Sequence, residues 1–292
     1  MKPGKYESKI SMKLTLFFIL TVSFSWSIGL KGLIIPENAY ILSTAGTGIA
    51  EGIAPSLNPA MNIIEHSYIQ FSLNQWLGDI KGSHTAFHWG QKISQAISIQ
   101  SWNAEDIPEY GDKPDSSPLG TFGVHYVSAA YTISHHLGTP YRFGARIQAN
   151  YNHLYIESMS GITLDAGALF PLGSFITAGA VVRNMGYEYT NNLRAELPME
   201  IGLGTEFKSP FKISILTDVI YLSDKGMDIR MGLKTHFKWM NVHAGTSIHE
   251  KRNAQAFGCS FNFRQWLINC GIYNHENSVL GLPLFLDVRR YL

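Results

Sequence analysis

Residues 161–186 read GITLDAGALFPLGSFITAGAVVRNMG. The stretch is almost uncharged, rich in glycine and β-branched residues, and split by Pro171-Leu172-Gly173. A membrane helix of this length would have to carry Pro171 and five glycines, at about 3 kcal/mol for an interior proline and about 1 for each glycine relative to alanine. A period of two fits better. Ile162, Leu164, Ala166, Ala168 and Phe170 alternate with Thr163, Asp165 and Gly167, and Ile176, Ala178, Ala180 and Val182 share a face after the break. The stretch is a β-hairpin. With Pro171-Leu172-Gly173 as a three-residue loop, its two apolar faces coincide. Glycine in place of bulk suits strands that curve or pack close to other backbone.

The same period runs along most of the chain. In TPYRFGARIQANYNHLYI, Tyr141, Phe143, Ala145, Ile147, Ala149 and Tyr151 oppose Arg142, Gly144, Arg146, Gln148, Asn150 and Asn152. Residues 211–222 and 227–238 repeat it, setting Ile213, Ile215, Val219, Ile229, Met231 and Leu233 against Lys212, Asp218, Asp228, Arg230 and Lys234. Such runs are about ten residues long, the length a tilted strand needs to cross a bilayer. Turn signals divide residues 68–290 into about fourteen of them, including 93–103, 119–133 and 174–185. Tight links at Gln91-Lys92, Ser209-Pro210 and Arg264-Gln265 alternate with long polar ones at 104–119 and 186–197, as short periplasmic turns alternate with outer loops.

Composition and the N-terminus agree. Only 15% of the 292 residues are charged, against the roughly 25% usual in soluble domains, and the net charge is +1. No Lys/Arg-rich run is present, so nucleic acid is not an expected partner. Residues 12–27, MKLTLFFILTVSFSWS, read as a secretory signal peptide: a lysine, an apolar core, then small residues at Ser25 and Ser27. Its apolar core is shorter than the roughly 20 residues of a spanning helix.

Alternation by itself also fits a secreted β-sandwich. Three features favour the membrane. The strands outnumber the seven to nine of a typical sandwich. The apolar faces carry almost no charge. Aromatics gather near strand ends, at Trp76, Trp89, Trp102, Tyr141, Tyr155, Tyr187, Trp239 and Trp266, as interfacial girdles do. The expected fold is therefore all-β: a transmembrane antiparallel barrel of about fourteen strands in the bacterial outer membrane. Residues 1–27 form an extension and signal peptide, 28–66 a short N-terminal plug, and 67–292 the barrel.

Several motifs resemble a known family. LDAGALF (164–170), FITAGAVVRNMG (175–186) and LPMEIGLGTEFK (197–208) are similar to a run of motifs in the PorV/PorQ outer-membrane proteins, relatives of the FadL-type barrels. IPENAYILSTAGTGIAEGIAPSLNPAMN (35–62) resembles that family's N-terminal signature, through Pro36, Asn38, Ala39, Gly46, Gly48, Ala50, Asn58, Pro59 and Ala60. The family's acidic residues and aromatic before Asn-Pro-Ala are replaced here by Ala54-Pro55-Ser56-Leu57, and its following glycine by Met61. The resemblance implies a plugged barrel with Asn58, Pro59 and Ala60 in the plug. It implies a role in type IX-like protein secretion or surface-protein handling, with secretion proteins or cargo as partners beside outer-membrane lipid. The alternative is FadL-like passive passage of a hydrophobic small molecule. A gap in the barrel wall, or an apolar pocket beside residues 30–66, would favour that second role.

On the polar faces, Arg142, Arg146, Asp218, Arg230 and Lys234 are the candidate lumen-lining residues. Charges of both signs can pair across a barrel or hold a plug. No catalytic motif is present: Gly-x-Ser-x-Gly, His-Glu-x-x-His and phosphate-binding loops are all absent from the sequence. His84 and His88 share a strand face but stand about 13 Å apart, too far to share a metal. The reading is non-enzymatic, without cofactor or metal. Cys259 and Cys270 fall opposite one another across the Arg264-Gln265 turn, on the lipid-facing parity, and read as two thiols rather than a disulfide.

Overall fold

The computed structural model describes residues 31–62, 65–110, 118–136, 140–154, 157–190, 193–195, 197–223, 225–249, 252–275 and 280–292. The leader at 12–27 and the girdle position Tyr155 lie outside the described residues. One antiparallel sheet holds β1 (Tyr68–Gln75), β2 (Lys81–Trp89), β3 (Ile93–Glu109), β4 (Gly120–His136), β5 (Arg142–Leu154), β6 (Glu157–Pro171) and β7 (Ile176–Thr190). It continues through β8 (Leu193–Ala195), β9 (Glu200–Lys208), β10 (Ile213–Leu222), β11 (Gly226–His236), β12 (Met240–His249), β13 (Arg252–Phe263), β14 (Trp266–His275) and β15 (Leu284–Tyr291). β1 pairs with β15, β6 with β7, and β7 with β9, so the sheet closes on itself. The short β8 only folds back on the end of β7. Fourteen strands make the wall, each paired on both sides.

Closure satisfies the backbone of every wall strand, and the side-chain alternation then assigns the faces. On β1, Ile69, Phe71 and Leu73 are exposed while Gln70, Ser72 and Asn74 are buried. On β5, Tyr141 just before the strand, with Phe143, Ile147 and Tyr151, points out; Arg146, Gln148 and Asn150 point in. No helix among the described residues is long and apolar enough to cross a membrane. The crossing is made by strands.

The opening hairpin is β6 and β7. Pro171 pairs with Thr177, so the connection spans 172–175 rather than Pro171-Leu172-Gly173. The difference leaves the parity untouched: Ala168 still lies opposite Ala180 and Phe170 opposite Ala178, both apolar faces outward. A bulge between Leu164 and Ala166 shifts the register above that point. Strands β3 and β4 are each 17 residues long. They absorb part of the expected 104–119 loop, with an irregularity between Ala104 and Ile107 where Asp106 takes φ 56°.

Two girdle positions turn inward. Trp102 is buried at 3% exposure and packs against Phe285, with ring centroids 5.8 Å apart; Trp76 packs on Tyr273 at 5.7 Å. Parity explains Trp102: Ile97 and Ile99 point to lipid, so even-numbered positions of β3 face inward. Trp239 and Trp266 remain outside, at the short-turn end with exposed Phe175, Phe211 and Phe263. Cys259 and Cys270 are opposite one another and unbridged.

Residues 31–62 are threaded through the lumen. They form a 3-10 turn (Lys31–Ile34), a helix α1 (Ala39–Ser43) and a series of turns. Asn38 caps α1, its side chain accepting from the Ile41 N–H at 3.0 Å. The segment descends from Leu33 and Ile35, beside Trp76 and Ile80 at the loop end, to Asn62, beside Ser94 and Arg142 at the short-turn end. Glycine on the inner wall lets it approach. A Cβ on Gly144 would stand 2.0 Å from the Pro59 carbonyl oxygen, and one on Gly167 would stand 2.0 Å from Asn58 Oδ1. Within residues 161–186 the same close approach accounts for Gly167 and for Gly179, where a Cβ would stand 2.5 Å from the Ile49 carbonyl oxygen.

Leu203 is 63% exposed on the outer face of β9. Replacing it with arginine is expected to destabilise the barrel in lipid by about 2–4 kcal/mol if the site sits at the bilayer midplane. Reversible unfolding from phosphatidylcholine vesicles measures this, and an unchanged midpoint would mean that β9 does not face lipid.

Candidate functional site: the lumenal segment and the cavity above it

A chain with so little regular structure, held inside a barrel, must find partners for its backbone groups among wall side chains. Asp218 on β10 accepts the N–H groups of Gly48 at 2.7 Å and Ile49 at 3.1 Å. Asp287 on β15 accepts the Ala39 N–H at 2.9 Å. Arg230 on β11 donates to the Gly46 carbonyl at 3.1 Å, and Arg183 on β7 to the Ser56 carbonyl at 2.9 Å. Ser134 on β4 donates to the Met61 carbonyl at 3.2 Å.

Charge pairing adds to this. Arg146 on β5 donates to Glu37 at 2.5 Å. Lys234 on β11 pairs with Glu51, which also accepts the Tyr40 hydroxyl at 2.6 Å. Burial and the adjacent Glu51 carboxylate push that hydroxyl well above its ordinary pKa, so Tyr40 remains a donor. Arg142 reaches Asn62. The five candidate lumen residues, Arg142, Arg146, Asp218, Arg230 and Lys234, therefore all contact the threaded segment. They are spread around the barrel rather than gathered at one point.

Asn58 ties the segment to both strands of the opening hairpin. Its Nδ2 donates to the Ile49 carbonyl at 2.8 Å and the Ala168 carbonyl at 3.2 Å, and approaches the Ala180 carbonyl at 3.4 Å. Its Oδ1 accepts the Ala60 N–H at 3.0 Å. Pro59 lies on Gly144, and Ala60 is fully buried. Sequence reasoning had not singled out Glu37, Glu51, Arg183, Glu200 or Asp287. Asp287 was within reach, since Leu284 and Leu286 alternate with Phe285 and Asp287. Glu37 and Glu51 lie in an irregular segment, where no periodicity assigns a direction.

At the loop end the segment does not fill the lumen. A cavity of about 530 Å³ remains between it and the wall. Leu33, Ile34, Ile35, Trp76, Leu77 and Tyr273 form its apolar side. Leu33, Ile35, Trp76 and Tyr273 belong to a cluster built on Leu42, Trp102, Tyr126, Leu197 and Phe285. The other side is polar, with Gln100, Arg146, Arg183 and Arg230 facing Glu37, Asp165, Glu200 and Asp228. Among the described residues no group of His, Cys, Asp or Glu is arranged to hold a metal ion.

These features define an outer-membrane β-barrel with a threaded lumen and an amphipathic cavity. No protein-family model matches the chain, and no curated protein does. Solved structures share its fold. The toluene transporter TodX of Pseudomonas putida is 9% identical, with 87% of this chain and 98% of that one covered and a TM-score of 0.65. The monoaromatic hydrocarbon channel CymD is 10% identical, with coverage of 87% and 97% and a TM-score of 0.65. A FadL homologue of Pseudomonas aeruginosa is 10% identical, with coverage of 88% and 98% and a TM-score of 0.63. At these identities the likeness is one of fold.

Glu37 gives the segment a pH dependence. Burial is the largest single influence and would raise its pKa, but the charges of Arg146 and His84 together with hydrogen bonds from Arg146 and Ser56 outweigh it and hold it at about 2. A carboxylate depressed from 4.5 in the folded state stabilises that state above its unfolded pKa, and the contribution is lost as pH falls from about 4.5 to about 2. Thermal unfolding in that window is expected to show a slope that Glu37→Gln flattens. Parallel slopes for the two proteins would mean that the Glu37–Arg146 pair does not hold the segment.

Proposed function

We propose that the protein is a passive, non-enzymatic channel that admits a small, largely hydrophobic molecule through the outer membrane. In this reading residues 28–66 are the plug and 67–292 the wall. The single observation that carries it is the cavity at the loop end, whose apolar side is made of Leu33, Ile34, Ile35, Trp76, Leu77 and Tyr273. Its volume of about 530 Å³ falls within the range of small-molecule sites, roughly 300–1,000 Å³. Burial of an apolar ligand there stabilises binding at about 25 cal/mol per Å² removed from water. The fold shared with TodX and CymD, described as a toluene transporter and a monoaromatic hydrocarbon channel, supports the same reading. The secretion role implied by the PorV/PorQ-like motifs has no comparable support, since neither the cavity nor the fold comparisons point to a protein cargo.

Titrating the purified barrel with an alkylbenzene is expected to change tryptophan emission saturably, because Trp76 lines the cavity. Ile35→Phe, which fills part of the space, is expected to weaken that binding about tenfold. Native mass spectrometry of protein extracted from its own outer membrane is expected to show a bound small molecule and no protein partner. Secretion components or cargo on a ligand-free barrel would overturn the proposal.

A further inference from the structure

Pairing inside the lumen does not account for every charge on the barrel. Where β11 to β15 meet their short turns, Lys238, Arg264 and Arg290 are all exposed at the rim. The strand register makes them neighbours. Phe263 pairs with Trp266 and Trp266 with Arg290, while the Asn262 N–H donates to the Trp239 carbonyl at 2.9 Å. With adjacent strands about 4.8 Å apart, the three basic residues lie along one short arc. Residues 236–241, 260–268 and 288–292, which build this arc, contain no Asp or Glu. Among the described residues none of the three cations forms an ion pair. The basic character is local, since the loop-end stretch 104–119 holds Glu105, Asp106, Glu109, Asp112 and Asp115 against Lys113.

Aromatic rings fix where these charges stand. Phe237 and Trp239 flank Lys238, and both rings are exposed. Arg264 stands at the lip: it borders the lumen on one side, and its Cζ lies 5.4 Å over the ring of outward Phe263. Arg290 Cζ lies 5.5 Å over the ring of Trp266. Rings on the outside of a barrel settle at the membrane–water boundary, so a guanidinium stacked on one is held at the level of the lipid phosphates. Arginine takes a phosphate through two parallel N–H···O bonds, and clustered basic residues beside a bilayer attract anionic lipids. Because the bilayer already covers these rings and the strand faces beyond them, the partner has to come from within the leaflet.

We infer that this arc binds an anionic phospholipid of the periplasmic leaflet, the side that short barrel turns face. Arg264 and Arg290 take its phosphate, Lys238 adds charge, and the acyl chains lie along Phe261 and Ile268, which are exposed on the outer faces of β13 and β14. The site lies outside the lumen and is independent of what the cavity admits.

Trp239 and Trp266 stand in the arc, so their quenching by a brominated lipid reports occupancy. In phosphatidylcholine vesicles, brominated phosphatidylglycerol is expected to bind about fivefold more tightly than brominated phosphatidylcholine, the effect of about one basic residue at an anionic surface. The preference is expected to shrink as salt rises. Arg264→Gln combined with Arg290→Gln, both at exposed positions, is expected to bring the two lipids close to parity, while Lys81→Gln at the loop end leaves the preference unchanged. Equal quenching by the two lipids in the wild-type protein would overturn the inference, whether or not the variants fold. A preference that survives the double substitution, or that Lys81→Gln also removes, would overturn its assignment to this arc. Native mass spectrometry of the protein extracted from its own membrane is expected to show a retained anionic phospholipid. An acidic protein bound through Arg264 and Arg290 in its place would overturn the lipid assignment.

Discussion

Backbone polar groups at bilayer depth have no water to turn to, and this single constraint organises the molecule. For the wall it is met by closure, β1 on β15 and β6 on β7, so that no strand edge is left open. The threaded segment faces a harder case. Only five of its residues are α-helical, so the wall supplies the missing partners: Asp218 for the N–H groups of Gly48 and Ile49, Asp287 for that of Ala39, and Arg230 and Arg183 for the Gly46 and Ser56 carbonyls. The polar inner face of the barrel is in large part a receptacle for that backbone.

The same constraint explains the placement of glycine and of charge. A backbone lying flat on a strand needs the wall to be bare beneath it, which Gly144 and Gly167 provide. Carboxylates inside a barrel need cations within reach. Glu37 and Glu51 come in with the segment, and Arg146 and Lys234 meet them from the wall. Space is left at both ends of the lumen: about 730 Å³ beside Arg264, Gln265 and Leu292 at the short-turn end, and at the loop end a cavity bordered by the aromatic cluster around Phe285.

Much of this was legible in the chain. A period of two survives any uncertainty about boundaries, so the outward faces of β1, β5, β10 and β11 could be read from residues such as Phe71, Ile147, Val219 and Ile229. The parity of Arg146, Asp218 and Lys234 placed them inside before any contact was known. Parity also settles the cases that position alone misreads. Trp102 sits near a strand end like a girdle residue, yet its even place on β3 turns it into the lumen. The hairpin connection was misplaced within residues 171–175, but an even shift left its faces unaltered.

What the sequence determined by itself is whatever a local repeat encodes: strands, their two faces, their tight turns and the even count that lets a barrel close. Only the tertiary structure decided which partner each inward charge meets and where the lumen stays empty. Glu37 and Arg146 are 109 positions apart, and Ala39 and Asp287 are 248 apart. Residues 31–62 carry no periodicity that would give such pairs a direction. Their path depends on the whole wall closing around them, and the loop-end cavity is part of the volume that path leaves unfilled.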